Sequence, residues 1–278
     1  MNTSPNNQQA IKAENFKALH ERTGLFVIPN PWDAGSAKML AALGFEALAT
    51  TSAGLAYALG RPDGSVSRDE ALENSRAIVE ATSLPVAADL ENGYGDEPEA
   101  CAETILLAAK AGLAGGSIED ATGKAEDPIY SFEHSVERIK ASVKAARSLP
   151  DPFMLTARAE NFLHGRADLK DTIRRLEAYA DAGADVLYVP GLTTLEEVDA
   201  VVRAVSPKPV NVLLSVNSPD FTLDALAKLG VRRVSVGSLL ARVAYGSFFT
   251  AAQELQQKGT FNFVENAIGY VDINKMFK

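Results

Sequence analysis

Four short phrases recur along the chain at the ends of helix-period segments: Ala-Leu-Gly-Phe (42–45), Lys-Ala-Gly-Leu (110–113), Asp-Ala-Gly-Ala (181–184) and Lys-Leu-Gly-Val (228–231). Each places glycine where a helix closes through a left-handed residue, followed by an apolar residue that feeds the next strand. Between these phrases, short runs rich in Val, Ile, Leu and Ala alternate with longer stretches of helical spacing. The runs predict strands at 25–29, 47–51, 86–90, 116–119, 153–157, 186–189, 210–214 and 234–237. The stretches between and after them predict helices at 33–43, 68–82, 98–111, 132–148, 169–182, 195–205, 221–229 and 239–257. Eight strand-helix units in 278 residues match a parallel (β/α)₈ TIM barrel in size and order, whereas a doubly wound sheet usually carries fewer units. The expectation is one barrel domain over residues 1–278 with an additional C-terminal helical segment. Residues 260–278 hold Phe261, Phe263, Tyr270, Met276 and Phe277, too apolar for a free terminus, and are expected to dock on a neighbouring subunit.

Composition removes several classes of partner. Lys plus Arg is 27 against 36 for Asp plus Glu, a net charge of -9, so a nucleic-acid backbone has no electrostatic footing here. No apolar run reaches the roughly 20 residues of a membrane helix, and the first residues lack a signal core, so no membrane partner and a cytoplasmic location are expected. Cys101 is the only cysteine; no internal disulfide or cysteine-based zinc cage can form, and its helical setting reads as packing.

In a barrel of this kind the reactive groups belong at the carboxyl ends of the strands. There the chain carries Thr50-Thr51-Ser52-Ala53-Gly54-Leu55, a small-residue turn suited to an anion, then Asp89-Leu90-Glu91-Asn92-Gly93-Tyr94-Gly95, Ser117-Ile118-Glu119-Asp120 and Ala157-Arg158-Ala159-Glu160-Asn161. Asp89 and Glu91, two apart, point to the mouth while Leu90 points to the helix layer, and Glu119 arrives from the adjacent strand. Three converging carboxylates repel unless a cation lies between them, and an all-oxygen set suits Mg²⁺, or Mn²⁺. The bland alternative is that these acids form salt bridges with Arg158 or cap helices. Arg158 itself reads as a planar clamp for a carboxylate or phosphoryl oxyanion. Among other polar residues, Tyr57 and Tyr94 follow strands that feed the mouth and are the proton-donor candidates by position. His164 is the one histidine near it. Trp32 reads as a wall residue, and Lys124 as a solvated charge. No predicted strand ends in the lysine a Schiff-base aldolase needs.

At these residues the sequence resembles the isocitrate lyase and phosphoenolpyruvate mutase superfamily over nearly its whole length. The matching phrases are Asn30-Pro31-Trp32-Asp33-Ala34-Gly35-Ser36-Ala37, Thr51-Ser52-Ala53-Gly54, Leu59-Gly60-Arg61-Pro62-Asp63-Gly64, the 89–95 turn, Ile118-Glu119-Asp120 and Thr156-Ala157-Arg158. The resemblance implies a Mg²⁺-dependent enzyme that binds a small 2-oxo or 2-hydroxy acid and breaks a bond beta to its carbonyl through an enolate. It implies Ser52, Ala53 and Gly54 as the carboxylate-binding turn, Asp63 as an outer acid, Asp89 as direct metal ligand, Glu91 and Glu119 as acids that hold the metal, and Arg158 as the oxyanion-binding arginine. Arg158, Glu119 and Asp63 are thus the catalytic candidates. It also implies a homodimer or homotetramer with the C-terminal helix on a neighbour.

The chain departs from that pattern in four places. Glu91 stands where many members have Asp. Residues 120–127 lack both the cysteine of the isocitrate-type lyases and the Asn-Ser pair of the phosphonate enzymes, and Pro190-Gly191 replaces a His or Glu. A carbon-carbon lyase, with oxaloacetate decarboxylation as the simplest version and methylisocitrate-like cleavage less supported, is therefore expected. The alternatives are phosphorus-carbon chemistry on phosphonopyruvate or phosphoenolpyruvate, and a non-catalytic keto-acid-binding oligomer.

Overall fold

The computed structural model describes residues 5–277. Helix α1 (Pro5–Glu21) precedes β1 (Phe26–Ile28), α2 (Ala34–Ala42) and β2 (Leu48–Ala49). Then come α3 (Ser52–Ala58), α4 (Arg68–Ala81), β3 (Val86–Asp89), α5 (Pro98–Lys110), β4 (Gly115–Glu119), α6 (Phe132–Arg147) and β5 (Met154–Arg158). The second half runs α7 (Leu169–Asp181), β6 (Val186–Tyr188), α8 (Leu195–Val205), β7 (Val210–Leu213), α9 (Leu223–Lys228), β8 (Arg233–Ser235), α10 (Leu239–Lys258) and α11 (Tyr270–Met276). All eight strands are parallel, in the order β1-β8-β7-β6-β5-β4-β3-β2. The seam between β1 and β2 has no ladder but is bridged by the Ala49 N–H donating to the Pro29 carbonyl. This is the expected (β/α)₈ barrel, nearly closed, with helices added at its C-terminal end.

The recurring glycine phrases do what their chemistry requires. Gly44, Gly112, Gly183 and Gly230 have φ of 85°, 90°, 103° and 87°, the left-handed region where a Cβ is disfavoured. Helix starts are set as locally: Ser67 and Thr194 close capping boxes with Glu70 and Glu197, each worth about 1 kcal/mol.

Two cores result. Between strands and outer helices lies a continuous layer that includes Leu90, Cys101, Ile105, Ile118, Leu155, Leu187, Val212 and Val234. Cys101 is packed there, as expected. Inside the lower barrel, Phe26, Ile28, Ala87, Met154 and Val186 pack on Phe16 and Leu19 of α1, so α1 is a plug under the barrel. Sequence reading missed α1, because its narrow buried stripe is set in an otherwise polar segment.

His20 sits in that plug, 4% exposed. Its Nδ1 lies 2.8 Å from the Phe16 carbonyl and donates to it, which leaves Nε2 as an acceptor 3.2 Å from Arg233 Nη1. Burial, and then the Arg233 charge, push the imidazole pKa down to about 3 from the ordinary 6.5, so it is neutral when folded. A base with a depressed folded pKa makes the protein lose stability as pH falls below the unfolded value, since only the unfolded state takes up the proton. At pH 5 the His20 share of that loss is about 2 kcal/mol, from 1.5 pH units at about 1.36 each. His20→Gln is therefore expected to lose less stability than wild type between pH 7.5 and pH 5, measured by urea unfolding at both values. Equal losses would mean that His20 is not held neutral.

Helix α10 is the least buried of the long helices: Ala241 is its only buried residue, while Phe248 is 69% and Phe249 61% exposed. Helix α11 folds back on α2 of the same chain, where Lys38 Nζ donates to the Phe277 carbonyl at 3.0 Å. Among the described residues no helix is long and apolar enough to cross a membrane.

Candidate active site at the carboxyl ends of the strands

A cavity of about 220 Å³ opens at the carboxyl ends of the strands and runs into the barrel; Ser52, Ala53, Asp63, Asp89, Arg158 and Tyr188 line it, together with residues deeper in the barrel. This is where the fold predicts the chemistry.

Arg158 is the hub. It ends β5, in register with Glu119 of β4 and Tyr188 of β6. Its side chain is 13% exposed and pairs with three carboxylates: Nη1 with Asp89 at 2.8 Å, Nη2 with Glu119 at 3.1 Å and Nη2 with Glu160 at 2.8 Å. Glu160 also accepts from Nε at 2.9 Å, and the guanidinium lies 5.0 Å over the Tyr188 ring. The surrounding acids hold the guanidinium pKa well above its ordinary value against the opposing effect of burial. Glu119 and Glu160 shift upward, because burial and neighbouring acids outweigh the single arginine they share.

Asp89 ends β3. One of its oxygens accepts from Arg158, the other from the Ser52 hydroxyl at 2.8 Å and the Ser52 N–H at 3.2 Å. Its rotamer is thus fixed from two sides. The salt-bridge alternative for the acids describes Asp89 and Glu119 in this structure. Glu91 differs: it follows Leu90 out of the strand with φ of 47°, and its Oε1 is buried with no hydrogen-bond partner among the described residues. Burial first, then the Asp89 and Asp63 charges, push its pKa up to about 7. Tyr94, with φ of 59°, also presents a buried hydroxyl without a partner. Two side-chain-bearing residues in left-handed conformation within one turn mark stored strain.

The other sequence candidates separate. Ser52 begins α3, a two-turn helix where the sequence reads as a turn, with Thr51 as its cap. Gly54 does not line the cavity. Its N–H is taken by Thr51 Oγ1 at 3.2 Å, and a Cβ there would meet Thr51 Cγ2 at 2.6 Å and Trp32 Cβ at 3.0 Å. The position is closely packed, and only a residue without a Cβ fits there. Glu91 and Glu119 do not line the cavity either, and among the described residues no three His, Cys, Asp or Glu side chains form a ready ligand cage. The geometry accounts for this: Arg158 draws Asp89 and Glu119 to itself, while Glu91 leaves the strand at its left-handed residue yet stays close enough to Asp89 and Asp63 to feel their charges. Tyr57 is exposed on α3, and His164 is exposed beyond β5. Lys124 pairs with Asp96 at 2.8 Å, outside the cavity.

Sequence reading passed over Glu160 and Asp120 as functional residues. Glu160 is two residues after Arg158, so alternation alone places both on one side. Buried Asp120 accepts from the Glu160 N–H at 2.8 Å with one oxygen, and from Arg175 at 3.0 Å and the Tyr179 hydroxyl at 2.7 Å with the other. It holds the backbone from which Arg158 and Glu160 project.

Does this set fit a hard divalent cation? The donors are oxygens, the negative charge exceeds what Arg158 neutralises, and Glu91 Oε1 is buried without a partner. The residues present fit such an ion, with Asp89 and Glu91 as its nearest candidates for contact.

The chain matches the family model of phosphoenolpyruvate phosphomutase over residues 16–256. It is 59% identical to a protein of Burkholderia cenocepacia J2315 described only as a lyase/mutase, with a TM-score of 0.95 over 98% of this chain and 97% of that one. It is 30% identical over 258 residues to 2-methylisocitrate lyase of Escherichia coli strain K12, covering 88% of this chain and 84% of the relative. Oxaloacetate acetylhydrolase, solved with its product oxalate, is 28% identical with a TM-score of 0.86, covering 96% of this chain and 93% of that one. The chain belongs to the phosphoenolpyruvate phosphomutase family, and so to the isocitrate lyase and phosphoenolpyruvate mutase superfamily of lyases and mutases.

Proposed function

We propose that the protein is a Mg²⁺-dependent lyase that cleaves a carbon-carbon bond of a small 2-oxo or 2-hydroxy carboxylic acid through an enolate, with oxaloacetate as the simplest substrate. The observation that carries the reading is the Arg158 hub: a guanidinium at the cavity mouth, held by Asp89, Glu119 and Glu160, beside an acid, Glu91, that lacks a partner. Mg²⁺, when bound by Asp89 and Glu91 with Glu119 and Asp63 in support, supplies Lewis-acid stabilisation of negative charge developing on an oxygen.

The protein's own groups do the rest. Ser52 and Arg158 lock Asp89 in one rotamer. Glu160 turns the Arg158 fork toward the mouth, where it orients the substrate oxyanion. The Ser52–Ala53 turn at the start of α3 takes the substrate carboxylate through the Ala53 N–H, since the Ser52 N–H and hydroxyl are spent on Asp89. As the bond beta to the carbonyl of the 2-oxo acid breaks, its electron pair moves toward the carbonyl oxygen and the leaving carboxylate departs as carbon dioxide. The enolate carbon then needs a proton. Tyr94 is the candidate donor by position, with a buried hydroxyl that has no other partner among the described residues; burial and the nearby Glu91 charge push its pKa upward, so it gives up the proton only to a strong base such as the enolate carbon. The 120–127 loop carries no cysteine acid, which weighs against an isocitrate-type cleavage.

Helix α10 and residues 260–278 support a further part of the reading, that two or four copies assemble with these segments packed on a neighbour. Light scattering is expected to give a dimer or tetramer mass; a monomer would refute it.

Incubation with MgCl₂ and, separately, oxaloacetate, 2-methylisocitrate, 2,3-dimethylmalate or phosphonopyruvate tests the activity. Release of pyruvate from one of the first three, abolished by EDTA, is expected, and release of oxalate without pyruvate would make the enzyme a hydrolase instead. Turnover of phosphonopyruvate alone would favour phosphorus-carbon chemistry, and tight binding of a keto acid without turnover would make the protein a binder.

A further inference from the structure

Arg233 opens β8 with its side chain inside the barrel, while Val234 faces the outer core. It is 6% exposed and lines the floor of the active-site cavity. Three neutral groups hold it: Asn211 Oδ1 accepts from Nε at 2.9 Å, Thr156 Oγ1 from Nη2 at 2.9 Å, and His20 Nε2 from Nη1 at 3.2 Å. Among the described residues no carboxylate pairs with it. The contrast with Arg158 is sharp, since that guanidinium is shared by three acids. A buried cation without a counter-charge is costly, and arginine does not escape by losing its proton at neutral pH. Of its five N–H donors, three bonds are spoken for. Thr156 stands two residues before Arg158 on β5, so the Arg233 head lies one inward layer deeper, about 7 Å at about 3.3 Å per residue.

We propose that Arg233 is the centre of a second anion subsite on the floor of the cavity, which takes the far carboxylate of a substrate whose 2-oxo or 2-hydroxy acid head lies at Ser52 and Arg158. This rests on the head-group reading above and deepens it to a diacid. The electrostatics divide the labour: the acid-rich mouth awaits a cation, and the floor awaits an anion. His20 and Asn211 act as positioning residues that hold the guanidinium without cancelling its charge. A carboxylate of the protein in either place would fill the subsite from within.

L-Malate and L-lactate share a 2-hydroxy acid head and differ in the second carboxylate. Their dissociation constants, measured by calorimetry with MgCl₂ on the full chain, test the proposal. Wild type is expected to bind malate at least about tenfold more tightly than lactate, a difference of about 1.4 kcal/mol. Arg233→Gln is expected to bring malate to the lactate level without changing lactate. Asn211→Asp keeps the arginine and adds an internal counter-charge 2.9 Å from it; the same loss of malate preference is expected, with thermal stability retained. If the variants weaken malate and lactate equally, or if wild type shows no preference, the floor subsite is refuted while the head-group reading stands. If wild type binds neither acid, the head-group reading fails and the diacid proposal falls with it.

Discussion

Asp89→Ala is expected to lower Mg²⁺-dependent turnover by about 10³-fold, since several kcal/mol of Lewis-acid stabilisation are lost at about 1.36 kcal/mol per decade. The fold is expected to survive. Asp89 stands at the rim of the barrel, and its partners are Ser52 and Arg158 rather than the core. Its removal also leaves Arg158 with two acids, Glu119 and Glu160, so the guanidinium keeps its counter-charge. Calorimetric titration with MgCl₂ separates this from a general disturbance: metal affinity falls with activity, while circular dichroism and the melting temperature stay near wild type. Wild-type activity in Asp89→Ala without added metal would show that the carboxylate set does not hold a cation.

Arg158→Lys is the second large effect. The guanidinium uses three nitrogens on three carboxylates, with contacts at 2.8 Å to Asp89, 3.1 Å to Glu119 and, from Nε, 2.9 Å to Glu160. Lysine keeps the charge but not the fork, so it can satisfy only part of this set and present no planar face to a substrate oxyanion. A fall in kcat of about 10²-fold or more is expected, comparable to loss of one oriented donor from an oxyanion site. Arg158→Ala is less informative, because uncompensated buried acids would cost about 3–5 kcal/mol of stability and mix folding with function. An unchanged kcat/KM in Arg158→Lys would reduce Arg158 to a charge balance for its neighbours.

How much of this was legible in the chain depends on how local the determining contacts are. The barrel was, because each unit announces itself: helical period, a left-handed glycine, then an apolar strand. Gly44, Gly112, Gly183 and Gly230 all adopt the conformation that their phrases imply. Strand ends moved by a residue or two: in six of the eight runs the last residue has already left the ladder for the active-site loop, whereas β4 still ends at Glu119 and β5 runs one residue further, to Arg158. Helices α1 and α3 were not legible, the first because one stripe of Phe16 and Leu19 in a polar segment gives a weak period, the second because Ser-Ala-Gly reads as a turn until Thr51 is seen to cap it.

The site divides in the same way. That Asp89, Glu119 and Arg158 come together was legible because all three stand at strand ends, which the barrel gathers at one mouth. Their sharing of one guanidinium depends on the register of β4 with β5 and on the approach of β3, which no local spacing encodes. Glu91 was expected to converge with Asp89 by alternation, but its left-handed backbone ends the alternation at Leu90. Arg233 was least legible of all: its partners His20, Thr156 and Asn211 come from α1, β5 and β7, brought together only by closure of the barrel.

The central claim is that a hard cation and Arg158 jointly hold a 2-oxo acid at the mouth, and crystals grown with MgCl₂ and oxalate test it most directly. The expected difference density is one ion in contact with Asp89, with oxalate between that ion, the Ser52–Ala53 turn and Arg158. Density for oxalate elsewhere, or an ion that makes no contact with Asp89 or Glu91, would contradict the account.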